Sequence, residues 1–91
     1  MATVSETRDR IQEMVTGNKV MLFMKGTPKM PQCGFSAQTA GALDTLLSGD
    51  YASFNVLEDN DIREGIKAYG NWPTIPQLYV DGELVGGCDI V

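Results

Sequence analysis

The segment QLYVDGELVG, residues 77–86, decides the reading of this chain, because it spells a β-hairpin. Two short runs flank Asp81-Gly82, and that dipeptide supplies the positive φ that a two-residue type I′ turn demands. The preceding WPTIP, residues 72–76, is excluded from helix by its two prolines. Before it, EDNDIREGIKAYGN (58–71) offers capping residues, then Ile62, Ile66 and Tyr69 at i, i+4 and i+7, then a Gly-Asn stop. The last third of the chain is therefore helix, extended loop, hairpin.

Further back, YASFNVL (51–57) reads as a strand, with Ala52, Phe54 and Val56 alternating on one face. SGD (48–50) separates it from a helical pattern over 35–47, whose stripe is Ala40, Leu43 and Leu47. Gly41 weakens that helix by about 1 kcal/mol. GTPKMPQ (26–32) is a loop rich in glycine and proline. VMLFM (20–24), an apolar run between Lys19 and Lys25, suits a strand covered on both faces. The first helix opens on a capping box of Thr3 and Glu6, carries Val4, Ile11, Met14 and Val15 at helical spacing, and stops at Gly17-Asn18. Met14, Met21 and Met24 lie in apolar runs and are expected in the core. The order α-β-α-β-α-β-β implies an α/β fold, a mixed sheet with helices packed on its faces.

Length and composition set limits. Ninety-one residues, 43% hydrophobic and 21% charged, make one compact soluble domain spanning 1–91. A net charge of −5 opposes a phosphate backbone, so nucleic acid is not an expected partner. No apolar run reaches the roughly 18–20 residues that cross a bilayer, so no membrane is expected. The start MATVSETRDR lacks the apolar core of a signal peptide and contains Glu6 and Asp9, which points to a cytoplasmic protein. Two cysteines are too few for a disulfide framework. The absence of histidine removes Cys-His dyads and histidine metal sites. Cysteine chemistry here has to be driven by backbone dipoles and by lysine or arginine.

Cys33 stands at the mouth of the second helix, where unpaired N–H groups favour thiolate over thiol. Lys25, at the end of the preceding strand, can approach it from the other side, and Gly34 leaves room at the sulfur. A buried, inert cysteine is the plainer alternative. Three residues after Cys33, where a dithiol enzyme would carry its second thiol, stands Ser36.

The motifs KGTP (25–28), CGFS (33–36), WPTIPQLYVDGELVGG (72–87) and CD (88–89) together resemble the monothiol, CGFS-type glutaredoxins, closest to the short single-domain members. The resemblance runs from about Lys19 to Val91. It implies a thioredoxin-like fold with a mixed four-stranded sheet, a cis Ile75-Pro76 bond, glutathione binding, and a [2Fe–2S] cluster held across a homodimer. Such a cluster needs four ligands; two Cys33 thiolates and two glutathione thiolates supply them. Without a neighbouring thiol, Cys33 escapes a local disulfide and stays available to iron.

On this resemblance the glutathione site comprises Lys25, Phe35, Arg63, Lys67, Thr74, Ile75, Gly87, Cys88 and Asp89. Lys25, Arg63 and Lys67 would hold the glycine-end carboxylate, although Arg63 and Lys67, at i and i+4, also fit a solvated helix face. Ile75, extended before Pro76, leaves its backbone to a peptide-like ligand, unless the segment is only a rigid turn. Gly87, Cys88 and Asp89 would receive the γ-glutamyl end. Cys88 reads as a packed or accessory sulfur rather than a resolving thiol. Trp72 reads as a packing anchor, and Phe35 either lines the groove or turns inward. Asp89 also stands where an N-cap would open a further helix for which two residues remain, so a C-terminal helix is expected to be missing. A sheet face left open for want of it would lower stability or promote self-association.

Three functions of different class follow. The first is a cluster carrier exchanging [2Fe–2S] with donor and acceptor proteins. The second is a weak glutathione-dependent thiol-disulfide oxidoreductase with Cys33 as nucleophile. The third is an adaptor whose cysteine is incidental.

Overall fold

A computed structural model describes residues 3–48 and 50–86. The elements are helix α1 (Val4–Gly17), strand β1 (Val20–Met24), helix α2 (Gly34–Leu47), strand β2 (Ala52–Asn55), a 3-10 turn (Val56–Glu58), helix α3 (Asn60–Tyr69) and strands β3 (Gln77–Val80) and β4 (Glu83–Gly86). The α-β-α-β-α-β-β order read from sequence is borne out. The four strands form one mixed sheet in the order β2-β1-β3-β4, with β1 and β2 parallel and the other pairs antiparallel.

β1 is the centre because its side chains are apolar on both sides of the pleat. Met21 and Phe23 point to one face, where they meet Ile11 and Val15 of α1, Ile62 and Ile66 of α3, Val56, Ile75 and Tyr79. Leu22 and Met24 point to the other, against Ala40 and Leu43 of α2 and Leu78. Each such side chain, fully buried, contributes about 1.5–3 kcal/mol, so a half-polar sequence would not hold this place. Phe23 is completely buried, and its ring meets Tyr79 edge-on at 5.8 Å and 86°.

Local signals act as expected. Thr3 and Glu6 make both bonds of the capping box, and Asp59 caps α3 by accepting from the Ile62 N–H at 3.2 Å. Asp81 and Gly82 take φ of 51° and 85°, the positive pair of the hairpin turn. The Ile75-Pro76 peptide bond is cis.

Two expectations are corrected. The strand over 51–57 ends at Asn55, because the Asn55 side chain accepts from the Leu57 N–H at 3.0 Å and turns the chain into the 3-10 segment. Val4 is 88% exposed rather than part of the apolar stripe. The buried face of α1 is Thr7, Ile11 and Val15; its first turn overhangs the edge of that core.

The topology decides where loops meet. β3 runs antiparallel to β1 with Phe23 opposite Gln77, so the exit of β1 and the entry to β3 lie side by side. Lys25 follows the one and WPTIP precedes the other.

Candidate functional site

Cys33 is the N-cap of α2, in extended conformation at φ −150° and ψ 138°. It is half-buried, and its side chain caps none of the helix N–H groups with a formed hydrogen bond. Those groups lie close enough to act on the sulfur as dipoles. The thiol is held below its usual range, first by the Ser36 N–H and, against partial burial, by the Phe35 N–H, the Lys25 ammonium and the Ser36 hydroxyl. The direction is the one that a cysteine at a helix mouth implies.

Ser36 is fully buried, and its Oγ accepts from the Lys25 N–H at 3.1 Å. The Lys25 carbonyl accepts from the Gln32 N–H at 2.9 Å. The strand exit and the start of α2 are thereby tied together, with Lys25 and Cys33 on the same depression.

That depression is a groove of about 490 Å³ lined by Lys25, Cys33, Phe35, Arg63, Lys67, Trp72, Pro73, Thr74, Ile75 and Pro76. Every sequence-predicted site residue among the described residues lines it: Cys33, Lys25, Phe35, Arg63, Lys67, Thr74 and Ile75. Gly87, Cys88 and Asp89 lie outside the described residues. Phe35 faces the groove and is 64% exposed, which settles its orientation. The expectation that Trp72 is a packing anchor is corrected. The residue is 36% exposed and lines the groove, with its N–H donating to the Lys67 carbonyl and its own carbonyl accepting from Gln77 Nε2.

The cations differ in state. Arg63 Nε is buried and has no hydrogen-bond partner among the described residues. A buried unpaired guanidinium donor costs free energy until an acceptor arrives. Lys67 Nζ pairs with Glu64 Oε2 at 3.2 Å across one helical turn. An exposed pair of this kind holds at most about 1 kcal/mol, which an incoming carboxylate can replace.

Gln77 is a residue that the motif reading passes over. Completely buried, it donates from Nε2 to the carbonyls of Trp72 (3.0 Å) and Thr74 (3.2 Å) and accepts at Oε1 from the Tyr79 hydroxyl (3.0 Å). It shapes the loop that forms one wall. The available signal was a polar residue opening a strand of otherwise apolar character. A larger groove of about 920 Å³ runs along α1, α3 and the hairpin; among the described residues no thiol lines it, and Cys33 lies elsewhere.

Comparison with known proteins agrees with this geometry. The glutaredoxin family model matches residues 20–85. The chain is 57% identical over 86 residues to an uncharacterized monothiol glutaredoxin, ycf64-like, of Synechocystis, covering 94% of this chain and 79% of that protein. It is 49% identical over 89 residues to monothiol glutaredoxin-5, mitochondrial, of Saccharomyces cerevisiae, covering 96% of this chain but 59% of that longer protein. Among solved structures, a monomeric truncated mutant of Trypanosoma brucei 1-C-Grx1 superposes with a TM-score of 0.80 at 37% identity, over 99% of this chain and 78% of that one. With a thioredoxin-like sheet, a lone CGFS cysteine at a helix mouth and these relatives, the chain belongs to the glutaredoxin family, as a monothiol member.

Proposed function

We propose that this protein, acting as one glutaredoxin domain over 1–91, binds glutathione in the Cys33 groove and carries a [2Fe–2S] cluster bridged between two copies. The observation that carries the reading is the groove itself. A thiol held toward thiolate stands at one end, and a buried Arg63 Nε without a partner stands among two lysines. Glutathione matches this chemistry: a carboxylate for Arg63, Lys25 and Lys67, a peptide backbone for Ile75 beside Pro76, and a thiol toward Cys33. On the family resemblance, Gly87, Cys88 and Asp89, which lie outside the described residues, are the proposed partners of the γ-glutamyl end.

The cluster is cargo. Among the described residues no three His, Cys, Asp or Glu side chains converge to hold a metal, and Cys33 is their free cysteine. One chain thus offers one described thiolate to a cargo that needs four ligands. A second chain and two glutathiones make up the set, and donor and acceptor proteins load and unload it. On this reading the protein belongs in the cytoplasm, where glutathione keeps thiols reduced.

Anaerobic reconstitution with iron, sulfide and glutathione is the test. A coloured dimer that depends on both glutathione and Cys33 is expected. A cluster that forms equally well without glutathione, or in Cys33→Ser, overturns the reading.

A second activity is favoured by the position of Cys33, a partly exposed helix N-cap that lines the groove and whose thiol is held below its usual range. The Cys33 thiolate attacks the glutathione sulfur of a glutathionylated substrate, forming Cys33–glutathione disulfide and releasing the substrate thiolate. A second glutathione thiolate then attacks that disulfide, giving oxidised glutathione and regenerating the Cys33 thiolate. Ser36 supplies no resolving thiol, so turnover is slow and glutathione-dependent.

A further inference from the structure

Asn55, at the end of β2, does not line the groove, yet its side chain is hydrogen-bonded to Gly26, the residue that follows Lys25. The Asn55 Oδ1 accepts from the Gly26 N–H at 2.9 Å and from the Leu57 N–H at 3.0 Å. The neighbouring peptide groups are held as well: the Lys25 N–H by Ser36 Oγ at 3.1 Å and the Lys25 carbonyl by the Gln32 N–H at 2.9 Å. Just past the β1 ladder, the backbone around Lys25 is therefore anchored to α2, to the 26–32 loop and to the end of β2.

A long lysine side chain is flexible, so only the direction of its first bond can be set in advance by the fold. Gly26 adds to this constraint. It sits at φ +91°, and a Cβ there would lie 2.5 Å from the Met30 carbonyl oxygen. The segment thus packs closely in a conformation that a side chain at this position would not tolerate. Ser36 is a poor reporter of the effect, because it also acts on the Cys33 sulfur directly. Asn55 touches neither the sulfur nor the groove.

We propose that Asn55 is a positioning residue for Lys25: its side-chain oxygen fixes the exit of β1 so that the ammonium is presented to an anionic ligand beside Cys33. The inference rests on the reading of the groove as a glutathione site. Asn55 also holds the Leu57 N–H at the start of the 3-10 turn. A merely structural role is therefore the competing account.

The test is a double-mutant cycle of Asn55→Ala and Lys25→Ala. Reduced glutathione is titrated into each reduced protein and followed by the emission of Trp72, the sole tryptophan, which lines the groove. Asn55→Ala is expected to weaken binding about threefold to tenfold, and less than about twofold once Lys25 is already alanine. Asn55→Asp, which keeps the acceptor, is expected to recover most of the affinity. Should Asn55→Ala not fold, Asn55→Ser runs the same cycle. An equal loss with and without Lys25, or no loss at all, overturns the proposal, and a structural role predicts the first of these. A wild-type protein that binds no glutathione overturns the glutathione reading itself and this inference with it.

Discussion

At the scale of single residues, Ser36 changes most between sequence and structure. In the sequence it is a missing thiol, and its effect is to leave Cys33 without a local disulfide partner. In the fold it is a completely buried tie that accepts the Lys25 N–H and, through its own N–H, does most to hold the Cys33 thiol below its usual range. The pH dependence of Cys33 alkylation follows. Its depressed pKa means that thiolate, and with it reactivity, persists to lower pH than in an unstructured cysteine peptide. Lys25→Ala is expected to move the midpoint upward only slightly, because the helix N–H groups outrank the lysine among the causes. A midpoint equal to that of the free peptide would contradict the helix-mouth account. Cys33 and Lys25 were legible as site candidates from residue type and position, whereas Arg63 and Lys67, which by type alone also fit a solvated helix face, entered through the family resemblance. Gln77 and Asn55 were not, because a buried amide declares its role only through the carbonyls and N–H groups brought to it from distant parts of the chain.

Among the elements, helix limits were legible and one strand limit was not. Capping is local chemistry: Thr3 with Glu6 opens α1, and Asp59 opens α3. Asp59 is held below the usual carboxylate range, chiefly by the Ile62 N–H it accepts, with Arg10 adding an ion pair at 2.9 Å. Because its folded pKa lies below its unfolded value, the stability it contributes is present above the unfolded pKa and is lost as pH falls through the folded one. Asp59→Ala is therefore expected to cost about 1 kcal/mol near neutrality. The gap should close progressively below about pH 4, where the unfolded carboxyl takes up its proton. Urea unfolding of both proteins at neutral and acid pH measures it; a gap independent of pH would show that the charge is irrelevant. The end of β2 escaped the alternation of Ala52, Phe54 and Val56, because that pattern continues unbroken into the 3-10 turn. The Asn55 side chain, not the apolar period, stops the strand.

For the whole molecule, charge and shape act together. In the proposed cluster-bound dimer, two chains of net charge −5 would have to approach each other together with two anionic glutathiones. The radius of gyration is 12.0 Å, longer than the Debye length of about 8 Å at physiological salt and well inside the roughly 30 Å at 0.01 M. Salt therefore screens repulsion between whole molecules more than the close contacts inside each groove. The reconstituted dimer fraction, measured by sedimentation, is expected to rise between those two salt levels. A fall would show that the groove cations dominate the encounter. The sequence by itself determined the element order, the hairpin turn, the helix caps and the residue types of the thiol site, since each depends on neighbours within a few positions or on composition. Only the tertiary structure decided that β3 sets Gln77 opposite Phe23, that Trp72 and Phe35 face the groove, and that Arg63 Nε is left buried and unpaired. Those facts depend on sheet register and on packing between elements far apart in the chain. Such non-local contacts have no signature in local spacing.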